Sequence, residues 1–156
     1  MVPREVVLVV AVKIMRGTDM ADVRARPAQE KSRMIMDIRT VNTILYCNKW
    51  NETVDFYKTH LRLPVSTSLD WFVEFKLNET SRLSIANTAR ASIGSSNGKG
   101  ITITMEVDDI KAAHSYLEQA ELNPTAIIDH AWGSKVVYVY DPEGHRIEFW
   151  SQKEKD

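Results

Sequence analysis

The sequence predicts an α+β fold built from two βαβββ modules that form a curved mixed sheet around a cleft, with the helices outside. Three observations predict it. Extended and helical periods follow one another in the same order twice, over residues 38–92 and 100–152. Between them Ile93-Gly94-Ser95-Ser96-Asn97-Gly98-Lys99-Gly100 carries neither period and reads as a flexible connection. Within the extended segments one set of alternate positions is apolar and the other polar or aromatic, the pattern of a sheet covered on one side only.

In the first module Val41 to Cys47 is strand-like, and Asn48 is a candidate cap for a helix in which Trp50, Val54, Tyr57 and Leu61 recur at helical spacing. Pro64 blocks further helix. Extended segments follow at Val65 to Ser68, Trp71 to Leu77 and Arg82 to Ala86, with the turn-forming Asn78-Glu79-Thr80 between the last two. The second module repeats the order: a strand over Ile101 to Val107, then a helix over Asp109 to Ala120 with Ile110, Ala113 and Leu117 on one face. Strands over Thr125 to Asp129, Lys135 to Tyr140 and Arg146 to Trp150 complete it. Residues 36–156 are therefore read as the folded domain.

Residues 1–35 read as an N-terminal extension. They hold seven basic and four acidic side chains, against 13 and 17 in the remainder. The run Val6 to Val12 is β-branched and strand-like, and Arg16 to Arg33 is a polar linker with Gly17 and Pro27. Met36 is itself a candidate chain start, in which case the extension would come from an upstream start-codon assignment. An exposed Val6 to Val12 strand would be an aggregation hazard, so it is expected to pair with a sheet edge or pack against a second subunit.

Composition narrows the function. With 156 residues, 20 Lys plus Arg against 21 Asp plus Glu, and 44% apolar residues, the chain can bury a self-sufficient core. The lone Cys47 cannot form an intramolecular disulfide, which points to a reducing compartment and a cytoplasmic location; its strand position turns it toward the apolar side, buried and inert. Near-neutral charge gives no footing for nucleic acid, and no apolar run reaches the ~20 residues of a membrane span.

Val54-Asp55-Phe56-Tyr57, Leu61-Arg62-Leu63-Pro64-Val65 and the closing Tyr140-Asp141-Pro142-Glu143-Gly144-His145-Arg146-Ile147-Glu148-Phe149-Trp150 resemble the vicinal oxygen chelate superfamily, over about residues 38–152. That group contains glyoxalases, extradiol dioxygenases, fosfomycin-resistance thiol transferases and bleomycin-binding proteins. Arg62 departs from it, standing where the family usually has glycine. The resemblance implies the same paired-module fold, a homodimer, and a concave face on which four strands each offer one metal ligand. Those positions fall here on Asn42, Ser84, Thr102 and Glu148, which are expected to converge in space. Only Glu148 keeps a metal-binding group. One carboxylate with an amide and two hydroxyls is too weak a set for zinc, iron, nickel or manganese, so no cofactor is predicted, although a weakly bound divalent cation such as Mg²⁺ or Ca²⁺ is conceivable.

Strand alternation gives an independent list of the side chains on that face: Asn42, Ile44 and Tyr46; Arg82, Ser84 and Ala86; Thr102, Thr104 and Glu106; Arg146, Glu148 and Trp150. The function expected is a small-molecule binding protein of the glyoxalase/bleomycin resistance-like type with a degenerate metal site. Its ligand, a small organic molecule of aromatic or cationic character, would meet Asn42, Tyr46, Ser84, Thr102, Trp132, Glu148 and Trp150. The alternative is a divalent-metal-dependent lyase, isomerase or dioxygenase of the same superfamily, with Glu148 as the candidate catalytic residue. His60, His114 and His145 are expected at the surface.

Overall fold

A computed structural model describes residues 36–152. The N-terminal extension, with its Val6 to Val12 strand, lies outside the described residues. The elements run β1 (Val41–Cys47), α1 (Trp50–Asp55), a π-helical turn (Phe56–His60), β2 (Val65–Ser68), β3 (Phe72–Lys76), β4 (Ser81–Asn87) and a 3₁₀ turn (Thr88–Arg90). They continue as β5 (Thr102–Glu106), α2 (Ile110–Gln119), β6 (Ile128–Asp129), β7 (Ser134–Tyr140) and β8 (Arg146–Gln152). The fold is α+β, two βαβββ modules in tandem.

Each module makes a four-stranded mixed sheet, ordered β1-β4-β3-β2 in the first and β5-β8-β7-β6 in the second. In both, the opening strand lies parallel to the closing one and the other pairs are antiparallel. A parallel neighbour requires a crossover, and the helix supplies it. The two sheets are hydrogen-bonded separately, and their union is made by the core. Leu45, Phe75, Leu83 and Ile85 from the first sheet and Val137, Val139 and Ile147 from the second belong to one contiguous cluster with Tyr57, Ile110 and Leu117 of the helical segments. At about 1.5–3 kcal/mol for each fully buried large apolar side chain, this shared core dominates the attachment between modules.

The helical segment of the first module ends differently from its periodicity. α1 gives way after six residues to a π-helical turn, in which Leu61 N–H bonds the Phe56 carbonyl at 2.9 Å. Arg62 then takes a left-handed φ of 53°, a conformation that glycine favours. At the other end Asn48 does not cap the helix. Its side chain instead donates to Asn97 and accepts from Thr88, and Glu143 of the second module takes the backbone N–H groups of Asn48 and Lys49 at 3.0 and 2.8 Å. By contrast, α2 is capped as its sequence predicts, with Asp109 accepting from Lys111 and Ala112 N–H.

The Asp141-to-His145 turn is the second join. Asp141, 4% exposed, accepts from the Tyr57 hydroxyl at 2.9 Å, lies 2.9 Å from His145 Nδ1 and takes the His145 backbone N–H at 2.8 Å. His145 is therefore buried, at 1% exposure, and not at the surface as its place in a polar turn suggests. His60 and His114 retain partial exposure of their side chains. Burial, reinforced by the Asp141 carboxylate, raises the Tyr57 hydroxyl pKa well above the ordinary range, which keeps it a donor. Residues 93–100 are likewise tied down: Ser95 donates to Glu143, and Gly98 presses so closely on Gly144 that a Cβ there would lie 2.1 Å from the Gly144 carbonyl carbon. Gly-rich composition here reflects close backbone approach, where a free linker was expected.

Candidate functional site

The strand registers put the expected residues on one face of each sheet. In the first sheet Asn42 pairs with Arg82, Ile44 with Ser84 and Tyr46 with Ala86; β3 adds Glu74 opposite Ser84. In the second, Thr102 pairs with Arg146, Thr104 with Glu148 and Glu106 with Trp150, and β7 adds Tyr138 opposite Glu148. The opposite faces carry Leu45, Leu83, Ile85 and Ile147 into the core. Alternation thus puts each side chain on the face the sequence predicts, although Ser84 and Ala86 are fully buried there, where a sheet covered on one side only was expected.

Those registers also expose a residue-level repeat that the bare sequence hides. Arg82 and Arg146 hold the same strand position in the two modules, each opposite the first polar residue of the opening strand, Asn42 or Thr102. Two residues further on stand Ser84 and Glu148. The first module therefore lacks a carboxylate where the second has one, but Glu74 on the neighbouring strand provides it.

Two polar clusters result. In the first, Ser84 Oγ donates to Asn42 Oδ1 at 2.9 Å, Asn42 Nδ2 donates to Glu74 Oε2 at 3.0 Å, and Ser66 Oγ donates to Glu74 Oε1 at 2.6 Å. Ser84 is fully buried. In the second, Thr104 Oγ1 donates to Glu148 Oε1 at 3.0 Å, Arg146 Nε donates to Thr102 Oγ1 at 3.1 Å, and the Arg146 guanidinium lies 5.0 Å from the Tyr138 ring centroid. Burial and the Glu148 charge raise the Tyr138 pKa, against the opposing pull of Arg146, so the phenol stays protonated. Among the described residues no hydrogen bond or ion pair joins Asn42 or Ser84 to Thr102 or Glu148.

Glu148 is partly buried and makes no ion pair among the described residues; Arg146, its strand neighbour, is committed to Thr102 and the Tyr138 ring. Trp150 and Tyr46 lie partly buried on the same faces as Glu148 and Asn42. Trp132 stands apart on the turn between β6 and β7, 77% exposed and stacked on His130 with centroids 4.3 Å apart. Glu74, Ser66 and Tyr138 complete the clusters. Strand parity from a known register would have found Glu74 and Tyr138, since each is directly opposite a residue already singled out.

Residues 40–153 match the Glyoxalase-like domain family. The chain belongs to that family, within the vicinal oxygen chelate superfamily. No curated protein matches it in sequence. Its fold is similar to that of a lactoylglutathione lyase from Agrobacterium tumefaciens, at 20% identity and a TM-score of 0.59, over 70% of this chain and 90% of that one. It is similar also to a glyoxalase/bleomycin resistance protein/dioxygenase from Nocardioides, at 17% identity and TM-score 0.66, over 80% and 89% of the two chains. A glyoxalase/bleomycin resistance protein from Catenulispora acidiphila matches at 18% identity and TM-score 0.58, over 72% and 96%.

The metal implied by this glyoxalase-like fold can be tested against the donors present. Among the described residues no three His, Cys, Asp or Glu side chains are gathered within reach of one ion. Asn42 and Ser84 spend their polar atoms on each other and on Glu74. Such a set does not fit a transition metal, which needs imidazole, thiolate or several carboxylates.

Proposed function

We propose that this glyoxalase-like chain is a small-molecule binding protein, in which the polar sheet face takes a cationic organic ligand with an aromatic portion against Glu148, Trp150 and Tyr46. The observation that carries this reading is the Glu148 carboxylate. It is partly buried, receives one hydrogen bond from Thr104, and among the described residues has no cationic side chain paired with it. A carboxylate withdrawn from bulk water gains most from a counter-charge, and an arriving cation supplies one without displacing a protein partner. Trp150, on the same strand face two residues away, offers the flat surface on which a planar cation stacks.

N-methylquinolinium is a suitable probe. Binding should quench tryptophan fluorescence saturably, and Glu148→Gln should weaken it at least about tenfold, the equivalent of 1.4 kcal/mol for one lost charge contact, while leaving the circular dichroism spectrum unchanged. Added Zn²⁺ or Mn²⁺ should alter neither binding nor melting temperature. Stoichiometric metal that co-purifies with the protein and is lost in Glu148→Gln would instead support the metal-dependent lyase, isomerase or dioxygenase.

A further inference from the structure

The side of the second sheet that faces away from Glu148 carries a separate concavity. Its floor is Met105 and Phe149, on the strand positions alternate to Thr104 and Glu148; α2 forms one wall through Ala113 and Leu117, and Leu61 and Leu63 of the first module close the other. The volume is about 190 Å³. Tyr116 stands at the rim, where its hydroxyl donates to the His60 carbonyl at 2.5 Å and ties α2 to the end of the first module's helical segment.

Its chemistry is one-sided. Among the described residues no charged side chain lines it, and the Tyr116 hydroxyl at its rim is already engaged. The concavity is partly open to solvent, so water reaches it, but the lining offers that water almost no hydrogen-bond partners, and an apolar group that replaces it takes apolar surface out of water on both sides. We propose that this pocket is a second binding site, distinct from the polar face, for a neutral apolar group the size of a single phenyl ring. A charge seated inside would be disfavoured, because nothing in the lining would compensate its desolvation.

Toluene is the probe, applied to the full chain with methyl-labelled Leu and Met and observed by NMR. Saturable shifts are expected at Leu61, Leu63, Met105 and Leu117, with a rise in melting temperature, and benzylammonium should need a markedly higher concentration to produce either. Ala113→Leu fills the pocket from the helix side and should abolish the shifts; Leu63→Trp does so from the opposite wall and guards against a variant that fails to fold. Absence of saturable shifts in the full chain would overturn the proposal, whether the cavity is closed or filled by the chain itself. So would equal binding of benzylammonium, or toluene shifts that persist in both folded variants.

Discussion

Glu143 belongs to the second module, yet its carboxylate holds the start of the first module's helix. It is 8% exposed and accepts from Asn48 N–H, Lys49 N–H and the Ser95 hydroxyl. Burial alone would raise its pKa, but those three donors, helped by His145, outweigh burial and leave it below the ordinary value of 4.5. Hydrogen bonds to a charged group are worth about 1.5–3 kcal/mol each. Asn48 and Lys49 lie at the surface, so their N–H groups recover water when the carboxylate is removed, and Glu143→Ala should cost about 2–4 kcal/mol in total. In a chain this long each kcal/mol moves the melting temperature by about 2–4 °C, giving a fall of roughly 5–15 °C. Glu143→Gln keeps an acceptor without the charge and should lose about half as much. Because the folded state holds the Glu143 proton less tightly than the unfolded chain, its contribution is complete above pH 4.5 and is lost as pH falls through the lowered folded value. Urea melts of wild type and Glu143→Gln at a series of pH values should therefore converge toward the acid side. A Glu143→Ala protein within about 0.5 kcal/mol of wild type, or a Glu143→Gln difference independent of pH, would refute the inter-module clamp.

Arg62 occupies a left-handed conformation that costs a side-chain-bearing residue about 1–2 kcal/mol, and Arg62→Gly relieves it at some cost in chain entropy. Thermal denaturation should show a net gain of about 0.5–1 kcal/mol; a loss would mean that the arginine makes compensating contacts. Burial, with the Glu143 and Asp141 charges adding to it, pushes the Cys47 thiol up to about 12. A thiol reagent at pH 8 should leave native protein unmodified and label it promptly in denaturant, whereas fast native labelling would place Cys47 in an accessible state. The first strand β1 is a sheet edge with Val41 and Ile44 at 48% and 39% exposure, the kind of surface that recruits another strand or subunit. Light scattering should find a homodimer, and a chain starting at Met36 should associate or dissolve differently; unchanged behaviour would remove any role of Val6 to Val12 in assembly.

The fold was legible because its strands are simple. One face of each is apolar and the other polar, so period and parity locate β1, β4, β5 and β8 to within a residue or two at each end. What the sequence concealed depends on contacts between distant segments. Asn48 has the chemistry of a helix cap, but Glu143, 95 positions away, reaches the helix start in its place. His145 reads as a surface residue until Tyr57, from the other module, is seen to close a buried triad around Asp141. The π-helical turn has no composition signature, since it changes only which carbonyl each N–H chooses.

The same limit shaped the candidate site. Parity told which side chains share a face, and the registers set Asn42, Ser84, Thr102 and Glu148 on the faces opposite Leu45, Leu83, Ile85 and Ile147, with Ser84 itself fully buried. It carries no information on the partner strand, so Glu74 remained invisible although it lies directly opposite Ser84 and accepts from Asn42. That partner changes the meaning of the first module: its amide and hydroxyl are satisfied members of a closed hydrogen-bonded cluster, and rearranging them around a ligand would break bonds that already exist. Glu148, with one donor and no paired cation among the described residues, faces no such cost. On the proposed binding reading, the asymmetry between two modules of the same architecture puts the binding energy in the second, and Glu74→Gln should disturb stability through Asn42 and Ser66 while leaving cation binding at Glu148 nearly intact.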